Sequence, residues 1–117
     1  MSVPVELAEL QQRLEEFGAV AFLVTVGEGA RPHIVSVSIA LADDSLRCGA
    51  GRTTSANIAA TPDVSVVWPA PAGGDYCLIV DGRAAVADET VEIAPTRAVL
   101  HRLAGAPGEG PSCITVL

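Results

Sequence analysis

Hydrophobic residues recur along the chain at two spacings, which separates one helical segment from a series of strands. Between Ser2 and Phe17, leucines and a phenylalanine follow one another at three- and four-residue steps, the spacing of one face of a helix. Ser2 suits the N-cap, Pro4 the first turn and Gly18 the position past the end. From Ala19 the apolar residues alternate or run continuously, as in strands. The pattern predicts an N-terminal helix over Ser2–Phe17 followed by a sheet.

Five later segments carry the strand pattern, with turn residues between them. They are Ala19–Val26, His33–Leu41, Ser45–Ala50, Val64–Trp68 and Tyr76–Ala87. Residues 27–30 predict a hairpin loop, and Thr54–Ala60 a short helix that Pro62 brings to an end. The fifth segment is interrupted by Asp81-Gly82. We interpret this pair as a bulge or bend rather than a hairpin turn, because the flanking arms are short for independent strands.

The C-terminal third is less regular. Thr90–Arg102 alternates at first, but Pro95 interrupts it, and the remainder fits either a strand or one helical turn. Gly105–Pro111 is predicted as a flexible loop and Ser112–Leu117 as a last strand. With no internal repeat or linker, residues 1–117 are predicted to form one domain. We expect a mainly β fold, a closed, Greek-key-like barrel of six to seven mostly antiparallel strands with an N-terminal helix and one short crossover helix.

Composition disfavours several functions. The basic residues are seven arginines and no lysine, which excludes a lysine Schiff base and the lysine-containing phosphate loop. A net charge of −7 without a basic run disfavours nucleic-acid binding. No segment has the pattern of a signal peptide or a membrane span. Cys48, Cys77 and Cys113 lack the spacing of a zinc site, so we predict a cytoplasmic protein without a structural disulfide or a metal.

The segment with the most specific chemistry is Cys48–Asn57, CGAGRTTSAN, which lies between a predicted strand and a predicted helix. A helix start leaves N–H donors unpaired, and the helix dipole favours an anion there. Arg52 adds a guanidinium, and Thr53 and Thr54 add hydroxyls. The segment therefore predicts a phosphate site. The alternative, left open at this stage, is that a threonine or serine here only caps the helix.

The order and spacing of these pieces resemble the pyridoxamine-phosphate-oxidase-like flavin-binding split barrels. AFLVTVGEGARPHIVSVSIAL is similar to the family's first hairpin. DDSLRCGAGRTTSANIAATPDVSVVW is similar to its third strand, phosphate loop, short helix and fourth strand, and YCLIVDGRAAV to its long fifth strand. The similarity covers residues 5–103.

The resemblance implies a split barrel that forms a homodimer and binds FMN in a groove shared by two subunits. Along the edge of the flavin ring it places Val35, Ser36 and Val37. At or near the phosphate it places Gly51, Arg52, Thr53, Thr54 and Asn57. It also allows Trp68 to border the flavin of the other subunit, although we interpret the single tryptophan first as a core residue or a dimer contact. No catalytic constellation is evident, which suits a flavin enzyme, because the cofactor carries the redox chemistry.

The chain departs from the family pattern at Thr54, where many members carry a lysine. Losing a charged donor removes roughly 1.5–3 kcal/mol of phosphate binding, and Arg52 can compensate through a bidentate contact. His33 is interpreted as an exposed residue at a strand end rather than a catalytic group. Three functions stay open: an FMN-dependent oxidoreductase acting on a small molecule, a reductase that uses a deazaflavin coenzyme, and a barrel that binds flavin or haem without turnover.

Overall fold

The computed structural model describes residues 2–106, and its N-terminal segment differs from the prediction. Ser2–Val5 forms strand β1, a short 3₁₀ helix spans Leu7–Glu9, and helix α1 spans Leu10–Phe17. The predicted helix over Ser2–Phe17 is therefore wrong in its first part. β1 pairs antiparallel with a later strand and lies at an edge, where a proline is tolerated. The predicted end is confirmed, since the Gly18 N–H donates to the Leu14 carbonyl at 2.8 Å and Gly18 has a φ of 85°.

The remaining elements follow the predicted order. The strands are β2 (Val20–Gly27), β3 (Arg31–Ser38), β4 (Ala40–Ala42), β5 (Ser45–Gly49), β6 (Asp63–Trp68), β7 (Tyr76–Ala87) and β8 (Thr90–Arg102), and helix α2 (Arg52–Ala60) lies between β5 and β6. The segment left open between strand and helical turn is thus one continuous strand. The last strand predicted over Ser112–Leu117, and most of the preceding loop, lie outside the described residues.

The segment predicted as one strand over His33–Leu41 is divided at Ile39. Its first part pairs with β2 and its second part, β4, pairs with β5. At the division the Ile39 N–H donates to the Ala19 carbonyl at 2.8 Å, and the Ile39 side chain is buried. The alternation of side chains continues through this point, so the change of partner strand leaves no trace in the hydrophobic pattern.

The strands form one antiparallel sheet, hydrogen-bonded in the order β3-β2-β6-β7-β8-β5-β4, with β1 added to β8. The two ends of this path, β3 and β4, are consecutive in the chain and separated only by Ile39. The sheet must therefore curl until its two edges come together. Among the described residues no strand pairing joins these two edges, so the barrel is split at this seam. The closure expected from the strand pattern alone is therefore wrong. The predicted fold class, a mainly β split barrel with an N-terminal helix and one more helix, is confirmed.

The bulge predicted in the long fifth segment is confirmed. Asp81 pairs with Arg97 and Gly82 pairs with Pro95, so Thr96 of β8 is the extra residue. A proline fits here because the regular ladder of hydrogen bonds is already interrupted. Gly82 is required for packing, since a Cβ on it would lie 2.6 Å from the carbonyl oxygen of Ala94.

The core lies inside the curl and consists mainly of short aliphatic side chains. Its largest member is Trp68, which is 0% exposed. The Trp68 Nε1–H donates to the Gly18 carbonyl at 3.0 Å and so joins the end of β6 to the end of α1. The core that surrounds it includes Leu23, Leu46, Val66, Leu78, Val80, Val91 and Ile93.

Candidate functional site

Helix α2 begins directly after the glycine-containing loop, and the amide groups of its first turn are unpaired. Gly51 is the N-cap, in an extended conformation, and no side chain makes a capping hydrogen bond. The Ser55 N–H donates to the Gly51 carbonyl at 2.9 Å, so the three residues between them have no intrahelical partner for their N–H groups. The helix starts two residues earlier than predicted. The capping alternative is wrong, because the threonines lie inside the first turn.

A groove of about 380 Å³ opens beside this turn, at the seam between β3 and the end of β5. We call it the seam groove. It is lined by His33, Val35, Ser36, Val37, Gly49, Gly51, Arg52, Thr53 and Thr54. Seven of the nine residues predicted to bind the cofactor are therefore brought together here, as the exceptions are Asn57 and Trp68. The predicted ring-edge residues and the predicted phosphate residues share one groove.

Strand β3 gives this groove two kinds of surface. Val35 and Val37 lie opposite Leu23 and Ala21, which are buried, so both valines face the inside of the curl and pack against the core. Ser36 lies on the other face and is exposed. Among the described strands β3 pairs only with β2, so the backbone N–H and C=O groups on its free side have no strand partner there. The groove thus combines an apolar floor with a polar backbone edge.

A second groove, of about 540 Å³, adjoins the first. We call it the hairpin groove, because most of its lining comes from the turn between β2 and β3. Its lining residues are Gly27, Glu28, Gly29, Arg31, Pro32, His33, Thr53 and Asn57. The two grooves share His33 and Thr53. Asn57 therefore lies at the hairpin groove and not at the seam groove.

Asn57 is 9% exposed and has a visible structural role. Its Nδ2–H donates to Oγ1 of Thr25, at 3.0 Å, and Thr25 is 0% exposed. A Cβ added to Gly27 would lie 3.0 Å from Asn57 Oδ1, so the side chain also packs closely on the β2 backbone. This contact holds α2 against β2. A contact between Asn57 and a cofactor stays a prediction.

Trp68 is not brought to either groove. The largest apolar side chain of the chain fills the core between β6 and α1, and its one polar atom is bonded to Gly18. Within one subunit Trp68 is therefore a core residue. The prediction that it borders a flavin gains no support from this arrangement.

His33 was interpreted as an exposed strand-end residue, and that interpretation is wrong. The side chain is half-buried, lines both grooves, and has an Nδ1 that is buried without a hydrogen-bond partner among the described residues. His33 lies two residues before Val35 on the same strand. This spacing would have placed the His33 side chain on the inner face.

The seven arginines divide into three groups by their partners. Two of the seven, Arg31 and Arg52, make no ion pair with any described residue, and each lines a groove. Arg102 lies over the Tyr76 ring, with 6.0 Å to its centroid. The other four pair with carboxylates: Arg13 with Glu16, Arg47 with Glu92, Arg83 with Asp63, and Arg97 with Asp81. In a chain of net charge −7, the uncompensated guanidinium groups are therefore found at the grooves.

Cys48, at the end of β5, is a free and buried thiol. Burial raises the pKa of the Cys48 thiol, which keeps it protonated and unreactive. Within residues 2–106, no three His, Cys, Asp or Glu side chains are grouped as they would be to hold a metal ion. Neither of the described α-helices is long and apolar enough to cross a membrane.

Solved structures with this fold include a FAD-binding protein from Mesorhizobium loti, with a TM-score of 0.65 and 17% identity over 85% of this chain and 94% of that chain. A protein named F420 reductase matches with a TM-score of 0.62 and 19% identity, over 74% of this chain and 94% of that one. HutZ, the haem storage protein from Vibrio cholerae, matches with a TM-score of 0.63 and 13% identity, over 86% and 99%.

The fold is that of the pyridoxamine 5'-phosphate oxidase-like flavin-binding split barrels. By sequence, the chain is 33% identical to an uncharacterized protein of Mycobacterium bovis, over 115 residues that cover 84% of this chain and 80% of that protein. A protein of Mycobacterium tuberculosis matches to the same extent. The chain belongs to the family of these mycobacterial proteins. No family model matches it.

Proposed function

We propose that the seam groove binds FMN and that the protein is a flavin-dependent oxidoreductase acting on a small molecule. The observation that carries the proposal is the convergence of an uncapped helix start, an arginine without an ion pair and a free strand edge in one groove. Fold neighbours whose names specify FAD or F420 support a flavin-type ligand. The free, buried thiols Cys48 and Cys77 support our further proposal that the protein is cytoplasmic.

The first turn of α2 is suited to the phosphate. Its unpaired N–H groups and the helix dipole both favour an anion. Arg52 is exposed and makes no ion pair with another described residue, so its guanidinium is available for a bidentate contact with a phosphate. Thr54 stands at the position where many members of the similar family carry a lysine. Its side chain is 3% exposed, so it presents little surface to the groove that it lines. Arg52 thus takes over the charge that the absent lysine would supply.

The β3 side of the groove is suited to a planar ring with one polar edge. A bound flavin supplies hydride and electron transfer, and the protein supplies binding and orientation. Val35 and Val37 offer apolar surface that keeps water from one face of the site. The backbone groups on the free side of β3, which have no strand partner among the described residues, are available to hydrogen-bond the polar atoms of the ring.

We propose that the protein acts as a homodimer, with the second copy seated on the outer face of β2 and β3. Val20 and Ile34 are each 61% exposed on this face and Phe22 is 40% exposed, which is unusual for adjacent apolar side chains. Ser36 lies opposite Phe22 and also lines the seam groove. A second copy on this face would therefore cover the open side of the groove.

A deazaflavin coenzyme is the second candidate ligand. It is favoured if Arg52 does not replace the contact of the absent lysine, since a weaker phosphate contact suits a coenzyme that enters and leaves. A visible spectrum of the purified protein separates the candidates. Flavin bands at about one flavin per subunit support FMN. A colourless protein that binds the deazaflavin coenzyme supports the second candidate, and binding of flavin or haem without turnover supports a binding protein.

The direct test of the groove is the variant Arg52→Ala. Loss of one charge-assisted contact, worth roughly 1.5–3 kcal/mol, is expected to weaken FMN binding by about one to two powers of ten in a fluorescence titration. Arg83→Ala is the matched control, because Arg83 is equally an exposed arginine but is paired with Asp63 away from the grooves. If wild type and Arg52→Ala bind FMN with equal affinity, the phosphate does not bind at this helix start.

A further inference from the structure

A cleft of about 420 Å³ lies between α1 and the inner face of β7 and β8. Tyr76 is two residues before the buried Leu78, and Leu100 is paired with Leu78, so both side chains are on the inner face. Phe17 of α1 also lines the cleft and, like Leu100, packs against the core. We call it the aromatic cleft, after Phe17 and Tyr76. It shares no lining residue with the seam groove or the hairpin groove.

Aromatic side chains are concentrated at this cleft. The chain has four aromatic residues, and two of them, Phe17 and Tyr76, line it. Leu103, one of the large apolar side chains that remain exposed, lies next to it, because the Leu103 N–H donates to the carbonyl of the lining residue Asp75 at 2.8 Å. Rings in a concave site with apolar surface beside it favour a ligand that has a planar apolar part.

The charged side chains of the aromatic cleft leave one carboxylate without an ion pair. Arg13 and Glu16 line the cleft and pair with each other, with 3.2 Å between Nη1 and Oε2. Asp75 is half-buried and makes no ion pair with another described residue. Arg102 lies over the Tyr76 ring but does not line the cleft, so the lining keeps its excess of carboxylate. A cationic ligand is therefore favoured here, both by this carboxylate and by the aromatic rings.

Both walls of the cleft are held in place by hydrogen bonds within the chain. In the loop between β6 and β7, the Gly74 N–H donates to the Pro71 carbonyl at 2.8 Å, and Gly73 has a φ of 78°, which favours glycine. On the other side, α1 ends at Gly18, whose carbonyl accepts the Trp68 Nε1–H at 3.0 Å. The turn and the helix are thus positioned before any ligand binds, which lowers the entropic cost of binding.

We propose that the aromatic cleft binds a small aromatic cation, a planar ring that carries an amine or amidine group. The ring contacts Phe17 and Tyr76, and the cationic group pairs with Asp75. The volume of about 420 Å³ is within the range of small-molecule sites. Because the cleft shares no residue with the seam groove, its ligand is separate from the proposed flavin, and its test does not depend on FMN binding.

The experiment titrates benzamidine, a planar aromatic cation, into isotope-labelled wild type, Asp75→Asn and the control Asp88→Asn. Asp88 is an exposed aspartate in the turn between β7 and β8 and does not line the cleft. The backbone amide NMR signals of Phe17, Gly74 and Tyr76 are expected to shift, with a Kd of roughly 0.1–5 mM for a ligand of this size. Asp75→Asn is expected to weaken binding by about threefold or more, and Asp88→Asn to leave it unchanged.

Benzoate separates the effect of charge from that of the ring. It has the same ring with an anionic group, so it is expected to bind much more weakly than benzamidine. Asp75→Asn keeps the backbone carbonyl that accepts the Leu103 N–H, so the variant is expected to melt at the Tm of wild type. Asp75→Asn is also expected to change FMN affinity by less than about twofold, since the two sites have no residue in common.

Three results would overturn the proposal directly. They are that millimolar benzamidine shifts no amide signal at the cleft, that benzoate binds as well as benzamidine, or that wild type and Asp75→Asn bind benzamidine equally. Another occupant of the cleft would also overturn it. Benzamidine binding that appears only on dilution to monomers would identify a second copy, and binding that appears only in a chain shortened after Ala106 would identify residues 107–117.

Discussion

The hydrogen bond between Asn57 and Thr25 should determine how firmly α2 is held on the barrel. The bond is 3.0 Å long, and its partners are 9% and 0% exposed. In Asn57→Ala the Thr25 hydroxyl loses this buried partner, which costs about 1–3 kcal/mol of the free energy of unfolding. A domain of this size has about 5–15 kcal/mol in total. Each kcal/mol lowers Tm by roughly 4–8 °C, so the variant should melt well below wild type.

Trp68 provides the assay, because it is the only tryptophan and has no exposed surface. Its fluorescence should report urea unfolding of the cofactor-free protein. Thr25→Val, Asn57→Ala and the double variant complete a thermodynamic cycle. We expect the two single substitutions to be non-additive by about 1 kcal/mol or more, since each removes the same bond. Additivity to within about 0.5 kcal/mol would refute the claim that this bond stabilises the protein.

The same variants decide whether Asn57 also contacts the cofactor. Thr25 does not line either groove, whereas Asn57 lines the hairpin groove. If Asn57 acts only by holding α2, Thr25→Val and Asn57→Ala should weaken FMN binding to similar extents. A much larger loss of FMN affinity in Asn57→Ala would show that the Asn57 amide contacts the cofactor.

Three further outcomes are expected. Gly82→Ala should destabilise the fold by about 1–3 kcal/mol in urea unfolding, whereas Gly49→Ala, with nothing within 4 Å of its added Cβ, should cost less; equal costs would contradict the packing argument. Phe22→Ser should convert a dimer into monomers by sedimentation at micromolar concentration, and a wild-type monomer would rule out the proposed interface. Because burial raises the pKa of Cys48 above its ordinary value of 9.0, the unfolded thiol ionises first, and stability should fall as pH rises through that value. In Cys48→Ala the free energy of unfolding should fall less over this pH range than in wild type. Identical pH profiles of stability for the two proteins would show that Cys48 contributes nothing to the fall.

Most of the sheet was predictable from the sequence because strand alternation is local information. β7 was predicted with its observed bounds, and the bulge at Asp81-Gly82 followed from the shortness of the flanking arms. β1 was missed because four residues containing a proline carry too little periodicity to compete with the adjacent leucine pattern. The division at Ile39 was missed because a change of partner strand is a tertiary event.

The seam groove was predictable to the extent that its residues lie on two short segments of regular structure. The glycines and the helix start located the predicted phosphate residues, and the family resemblance placed Val35, Ser36 and Val37 on β3, so seven of the nine predicted residues line the groove. Asn57 and Trp68 could not be placed in the same way, because their side chains point to where they pack, Asn57 on β2 and Trp68 in the core. The spacing of His33 from Val35 predicts its inner face, but its place at both grooves follows from β3 being an edge strand at the seam, which the sequence pattern does not show.

The position of both grooves follows from the split in the barrel. A closed barrel would pair the backbone groups of β3 with the strand at the opposite edge, but here that edge is β4, which pairs only with β5. The unpaired groups of β3 are left facing the uncapped start of α2, so two sets of backbone donors and acceptors without partners meet at the same place. On the proposed function, a planar ligand with polar edges and an anionic tail would supply partners to both sets at once. Arg31 and Arg52, which make no ion pair with another described residue, line the hairpin groove and the seam groove respectively. We therefore expect the split barrel to bind its ligand where it lacks a strand, and the residues around the split, more than the fold, to select that ligand.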